Sequence, residues 1–133
     1  MARDVTTFLM FEGRAEQAMN FYVSLFPGSR ITSLRRYGPG EVGAEGSVMR
    51  AEFSLPGQRL ICIDSPAKHA FTFTPAMSLF VRCESETDVD MLFARLSEGG
   101  QVMIPLATYP FSEKFAWLAD RFGVSWQLSL ETA

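Results

Sequence analysis

The sequence predicts an α+β fold built from two βαβββ modules, and three observations carry that expectation. Short β-branched and aromatic runs alternate with two segments of helical period. Clusters of Pro and Gly separate them. The second half also repeats the first when moved by 71 positions. Phe8 then falls on Leu79, Leu9 on Phe80, Met10 on Val81, Phe21 on Leu92, Tyr22 on Phe93, Leu25 on Leu96, Gly28 on Gly99 and Ile31 on Val102. Helix stripe, helix stop and following strand all coincide.

Val5 to Phe11 is a strand ending at Gly13. Ala15, Ala18, Met19, Tyr22, Leu25 and Phe26 then mark one face of a helix, which Pro27-Gly28 stops. Arg30 to Tyr37 reads as a strand and Gly38 to Gly46 as a flexible loop. In Val48 to Leu55, Met49, Ala51, Phe53 and Leu55 alternate with Val48, Arg50, Glu52 and Ser54; Pro56-Gly57 turns the chain into a fourth strand, Gln58 to Asp64. Ser65 to Pro75 connects the halves. Met77 to Cys83 opens the second module. Ser85 or Thr87 caps a helix with Glu86 and Asp88 in its first turn, where the helix dipole favours acids, and with Val89, Leu92, Phe93 and Leu96 as its buried stripe. After Gly99-Gly100 come strands Gln101 to Ile104, Phe115 to Ala119 and Val124 to Leu130, with a break at Tyr109-Pro110. The expected organisation is one domain over 1–133, with modules at about 4–66 and 76–131.

Composition narrows the function. Of 133 residues 47% are hydrophobic, twelve of them Phe, which is ample for a core that needs neither metal nor disulfide. Twelve basic residues against fifteen acidic ones give a net charge of −3, which argues against a nucleic-acid partner. No apolar run approaches the ~20 residues of a membrane span. Met1-Ala2-Arg3-Asp4-Val5 lacks the apolar stretch of a signal peptide, so a cytoplasmic protein is expected. Cys62 and Cys83 show no metal spacing and read as inert buried thiols; His69 reads as a loop histidine between the halves.

Several motifs resemble the vicinal-oxygen-chelate superfamily of glyoxalases, extradiol dioxygenases and bleomycin-binding proteins, and within it the PhnB-like, 3-demethylubiquinone 3-methyltransferase-like group. They are Phe8-Leu9-Met10-Phe11-Glu12-Gly13 with Ala15-Glu16-Gln17-Ala18, Asn20-Phe21-Tyr22, Phe26-Pro27-Gly28-Ser29, Phe73-Thr74-Pro75-Ala76-Met77-Ser78 and Leu96-Ser97-Glu98-Gly99-Gly100. The most specific run is Trp117-Leu118-Ala119-Asp120-Arg121-Phe122-Gly123-Val124-Ser125-Trp126-Gln127. The resemblance covers nearly the whole chain. It implies a glyoxalase-like fold in which each module makes half of a curved mixed sheet, with a cup that holds the ligand. It also implies paired subunits and, in the enzymes, a divalent metal on the cup floor.

Strand alternation sorts the side chains against that expectation. Val124, Trp126 and Leu128 belong under a helix, leaving Ser125, Gln127 and Ser129 toward the cup. Met77, Leu79 and Val81 pack inward, leaving Ser78, Phe80 and Arg82. Phe8 and Met10 pack under a helix, leaving Thr7, Leu9 and Phe11. The third strand offers Arg50 and Glu52, which with Arg82 make a charged floor suited to an anionic group; on an exposed face they would be ordinary surface pairs. The fourth strand is apolar on both faces and stays unassigned. Trp117 reads either as a cup wall or as a core residue. The candidate ligand-binding set is therefore Thr7, Phe11, Arg50, Glu52, Ser78, Phe80, Arg82, Trp117 and Gln127.

Where metal-dependent relatives carry His, Glu or Gln, the matching positions here are Thr7, a residue between Leu60 and Asp64, Ser78 and Gln127. Two hydroxyls and an amide are a poor set for a divalent transition metal, so no metal and no cofactor is expected. Methyl transfer finds no support either: the Gly-rich stretch 38–46 leads into a strand rather than a helix. Two readings follow. One is a metal-independent protein binding a small, mainly apolar or aromatic molecule. The other is a metal-dependent lyase, isomerase or dioxygenase that recruits Gln127 and a carboxylate such as Glu52 or Asp64. A homodimer is expected under both, since strand edges need covering. Sedimentation at micromolar concentration should show a particle of twice 14.9 kDa; a monomer would refute it.

Overall fold

The structure, a computed structural model, describes residues 1–131; Thr132 and Ala133, the last two positions of the expected domain, lie outside the described residues. The chain divides into two compact units, Met1–His69 and Ala70–Ala133. Each is a βαβββ module with its own four-stranded mixed sheet, as the repeat predicts.

The first unit runs β1 (Thr7–Phe11), α1 (Ala15–Leu25), β2 (Arg30–Arg36), β3 (Val48–Leu55) and β4 (Gln58–Asp64). Its sheet order is β1-β4-β3-β2, with β1 parallel to β4 and the other pairs antiparallel. Helix α1 buries Ala15, Ala18, Met19, Tyr22 and Leu25 of the predicted stripe, and Phe26, its last member, stands half-buried at the C-cap. Tyr22 stacks on Phe53 of β3 at 6.5 Å between ring centroids, and the Cys62 thiol lies 4.0 Å from Met19 Sδ. These contacts fix which face of the sheet the helix covers.

That face corrects the expectation for β1. Thr7, Leu9 and Phe11 are register partners of Leu60, Cys62 and Asp64, all buried beneath the helix, whereas Phe8 is 54% exposed on the opposite face. Apolar residues occupy both faces of Thr7-Phe8-Leu9-Met10-Phe11, so alternation alone carries no sign there. The fourth strand resolves the same way: Leu60, Cys62 and Asp64 face the helix, and Ile61 and Ile63 face away. Val48 also departs from its expected face. It is fully buried, because a register shift between Arg35 and Arg36 interrupts the ladder at that end of β3. The strand begins at Thr7, and Val5 is exposed.

Helix α1 has no local cap. Arg14 stands at its N-cap position and makes no capping bond. The acceptor comes from far along the chain: Asp64 Oδ1 receives the amides of Gly13 at 2.8 Å and Ala15 at 2.9 Å, and Oδ2 receives that of Val48 at 2.9 Å. The loop 38–46, expected to be flexible, is closed over Tyr37. The Tyr37 amide donates to Ser47 O and the Gly46 amide to Tyr37 O, each at 2.8 Å. Gly43 lies so near that any Cβ there would overlap the Tyr37 ring.

The second unit runs β5 (Leu79–Cys83), α2 (Glu86–Ser97), β6 (Gln101–Tyr109), β7 (Ser112–Ala119) and β8 (Ser125–Leu130), in sheet order β5-β8-β7-β6. Ser85 caps α2 by accepting the Asp88 amide at 3.2 Å, and Val89, Leu92 and Leu96 are buried. Gly100 follows because a Cβ there would overlap the Ala119 carbonyl oxygen. Met77 precedes β5 and is 74% exposed, against the expectation that it packs inward. The hairpin β6–β7 is longer than predicted. β6 runs through Pro105, which its place at the sheet edge and three register shifts accommodate.

Replacing Asp64 by Ala leaves three amides without their acceptor. Unsatisfied buried donors cost about 1–3 kcal/mol each, so Asp64→Ala should destabilise the chain by roughly 3 kcal/mol or more in urea titration. A loss below about 1 kcal/mol would show that water replaces the carboxylate.

Candidate functional site

The face of the second sheet turned away from α2 carries the candidate site. Across β5, β8 and β7 the register sets Phe80 beside Gln127 and Gln127 beside Trp117; one step along it sets Arg82 beside Ser129 and Ser129 beside Phe115. Trp126 and Leu128 take the helix side, as predicted, and Leu118 joins them, while Ser125, Gln127 and Ser129 take the other. Phe80, Ile104, Phe111, Phe115, Trp117 and Gln127 line a concavity of about 420 Å³, with Ser129 and Glu131 at its polar end. Its aromatic wall is ordered edge to face: Phe111 meets Phe115 at 4.9 Å and 81°.

Asp120 sets the turn that leads into this strand. Its Oδ1 accepts the Phe122 amide at 2.8 Å and the Val124 amide at 3.0 Å, and its Oδ2 accepts Trp126 Nε1 at 2.9 Å. With the turn fixed, Ser125 and Gln127 project to the open face. There Trp117 Nε1 donates to Ser125 Oγ at 2.9 Å, Ser125 Oγ and Ser78 Oγ share a hydrogen bond of 2.7 Å, and Gln127 Nε2 donates to Ser78 Oγ at 3.3 Å. The chain has a definite remainder. Whichever serine donates to the other, one hydroxyl hydrogen is left over, and Gln127 Oε1 has no hydrogen-bond partner among the described residues. The site thus presents an acceptor, Gln127 Oε1, beside an apolar wall.

The structure brings Ser78, Phe80, Trp117 and Gln127 together within the second unit. Arg82 shares their face but lies outside the concavity. It is not a buried charge awaiting Glu52: its side chain is 75% exposed, lies over the Phe80 ring and pairs with Glu131 at 3.4 Å. Thr7 and Phe11 belong to the helix side of the first sheet, Thr7 Oγ1 accepting from Gln58 Nε2 at 3.2 Å and Phe11 being buried. Arg50 and Glu52 stand on the open face of that first sheet, 4.0 Å apart. Asp64, a candidate carboxylate for a recruited metal, is committed to three amides. Among the described residues no three His, Cys, Asp or Glu side chains gather as a metal site. Glu131, Ile104, Phe111 and Phe115 were missed. Phe115 was within reach by its spacing of two from Trp117, while Phe111 comes from the turn and Ile104 from a bulged strand.

Residues 3–129 match the family 3-demethylubiquinone-9 3-methyltransferase. The chain belongs to this family. A solved structure described as a putative 3-demethylubiquinone-9 3-methyltransferase, PhnB protein, from Bacillus cereus is 56% identical, with a TM-score of 0.95 over 97% of this chain and 100% of its own. Protein PA1353 from Pseudomonas aeruginosa is 24% identical with a TM-score of 0.86, covering 99% and 100%. A glyoxalase/bleomycin resistance protein/dioxygenase from Alicyclobacillus acidocaldarius is 16% identical with a TM-score of 0.54, covering 99% and 96%. The last two establish the fold alone, which is glyoxalase-like, as the motifs implied. No curated protein matches. Among the described residues no helix is long and apolar enough to cross a membrane.

Neither cysteine thiol is placed for chemistry. Burial pushes Cys62 up to about 12, with the Asp64 charge adding to it, and Cys83 up to about 11, with Asp88 adding. Iodoacetamide at pH 8 should therefore leave both unmodified in the native protein and label both after unfolding. Rapid native labelling of either, read by mass spectrometry, would contradict this.

Proposed function

We propose that the chain is a metal-independent small-molecule-binding protein, acting as a homodimer, whose second module takes a mainly apolar or aromatic ligand against Phe80, Phe115 and Trp117. The observation that carries this reading is the concavity of about 420 Å³, lined mostly by apolar side chains, with Gln127, Ser129 and Glu131 as its polar groups. Sites for small organic molecules have this make-up, an apolar lining with a few fixed polar groups. Gln127 Oε1 suits a ligand hydroxyl or amide N–H.

The donor set supports metal independence. Gln127 turns its amide nitrogen to Ser78 Oγ, and that hydroxyl is already shared with Ser125. Zinc, nickel or iron would want imidazole or carboxylate at ~2.0–2.2 Å. The family name speaks of methyl transfer, but the strand-to-helix connections at 12–14 and 84–85 hold one glycine between them, at Gly13. The Gly-rich stretch joins β2 to β3. Neither offers the phosphate cradle of a nucleotide-like cofactor.

Native mass spectrometry of the purified protein should show a co-purified organic molecule. Adding such a molecule back to stripped protein should change Trp117 emission, and Gln127→Leu should weaken binding about tenfold, the ~1.4 kcal/mol of one hydrogen bond. Protein purified without chelator should hold no stoichiometric transition metal and keep its melting temperature in EDTA. Near-stoichiometric zinc or nickel, lost in Gln127→Ala, would overturn the proposal in favour of a metal-dependent lyase, isomerase or dioxygenase.

A further inference from the structure

The open face of the first sheet holds an arrangement that neither the fold nor the second-module site accounts for. Arg35 of β2 and Arg50 of β3 are direct cross-strand partners. Like charges set opposite each other on one face repel, and here Glu52 is shared between Arg50 and Arg59. Glu52 lies 3.7 Å from Arg59 and 4.0 Å from Arg50, and Arg59 also holds Asp4 at 3.2 Å. Arg35 has no acidic partner within 4.0 Å among the described residues. Positive charge therefore accumulates at the Arg35–Arg50 end, in a chain whose net charge is −3.

Beside the arginines the same face is apolar. Ile61 stands next to Glu52 in register, with Phe8 next to Ile61; Met10 and Ile63 form the pair two steps further on. Phe8 is 54% exposed. Neighbouring strands lie ~4.8 Å apart, so ~10 Å separate Arg50 on β3 from the apolar side chains of β1. A cationic fork next to an apolar strip of that width matches an amphipathic anion.

We propose that Arg35 and Arg50 form a carboxylate-binding site on the first module, for a small organic acid whose apolar body lies over Ile61, Ile63, Met10 and Phe8. The carboxylate bridges the two guanidinium groups and relieves their repulsion. The site is built from first-module residues alone and stands whether or not the Trp117–Gln127 concavity binds a ligand.

Methyl NMR on protein labelled at Ile and Met distinguishes the two, because Ile61 and Ile63 report the first module and Ile104 the second. The probe is 2-naphthoate, with the uncharged 2-naphthalenemethanol as its comparison. Naphthoate should shift the Ile61, Ile63 and Met10 methyls, and the alcohol should bind there at least tenfold more weakly. Arg35→Gln/Arg50→Gln should weaken naphthoate binding at least tenfold with the fold intact by the same spectrum, whereas Arg95→Gln on α2 should leave it unchanged. Naphthoate shifts confined to Ile104, equal binding of acid and alcohol, or undiminished binding by the double variant would each overturn the proposal.

Discussion

A buried carboxylate that accepts three N–H bonds organises each module. Asp64 ties the end of β4 to the β1–α1 turn and to the first residue of β3. Without it, α1 would begin with Arg14 and no cap, and the helix start carries partial positive charge that an acid satisfies well. Asp120 does comparable work at the turn between β7 and β8, holding Phe122, Val124 and the Trp126 indole. Everything built on the open face of the second sheet follows from the register that this turn sets. A one-residue slip of β8 would send Gln127 beneath α2 and bring Trp126 to solvent.

The candidate face of the second sheet is assembled from different kinds of residue. Phe80, Phe111, Phe115 and Trp117 supply apolar area in defined ring geometry, while Trp117, Ser125, Ser78 and Gln127 form a polar chain along one side. Each group in that chain constrains the next, since a shared hydroxyl has only one hydrogen to give. Such a chain holds Gln127 in one orientation, so that the proposed ligand would cost less ordering entropy on binding.

Much of this was legible in the amino-acid sequence, and the reason lies in contrast between faces. On β8, serine and glutamine alternate with tryptophan and leucine, so the face of Ser125 and Gln127 was readable, and that of Phe80 on β5 by the same period; Trp117 stayed open between cup wall and core. On β1 every residue from Phe8 to Phe11 is apolar, and the face assignment inverted, taking Thr7 and Phe11 with it. Arg82 was put on the right face but was expected in a buried setting, because its partner Glu131 lies beyond the strand pairings that alternation describes. Asp64 as a cap was illegible for another reason. It acts across 49 residues, and no local pattern carries that information. The closed 38–46 loop was likewise hidden, since its order comes from Tyr37 packing against Gly43.

Pro105 bears on how copies of this chain can meet. An outer strand with a full row of amides invites another chain to extend the sheet, which is how ordered aggregates grow. β6 offers an interrupted row: proline contributes no N–H, and the register shifts near Ile104 and Ala107 break the regular spacing of what remains. A second β6 laid alongside would find few donors in step with its carbonyls. This border of the second sheet is a poor template for backbone pairing with another strand.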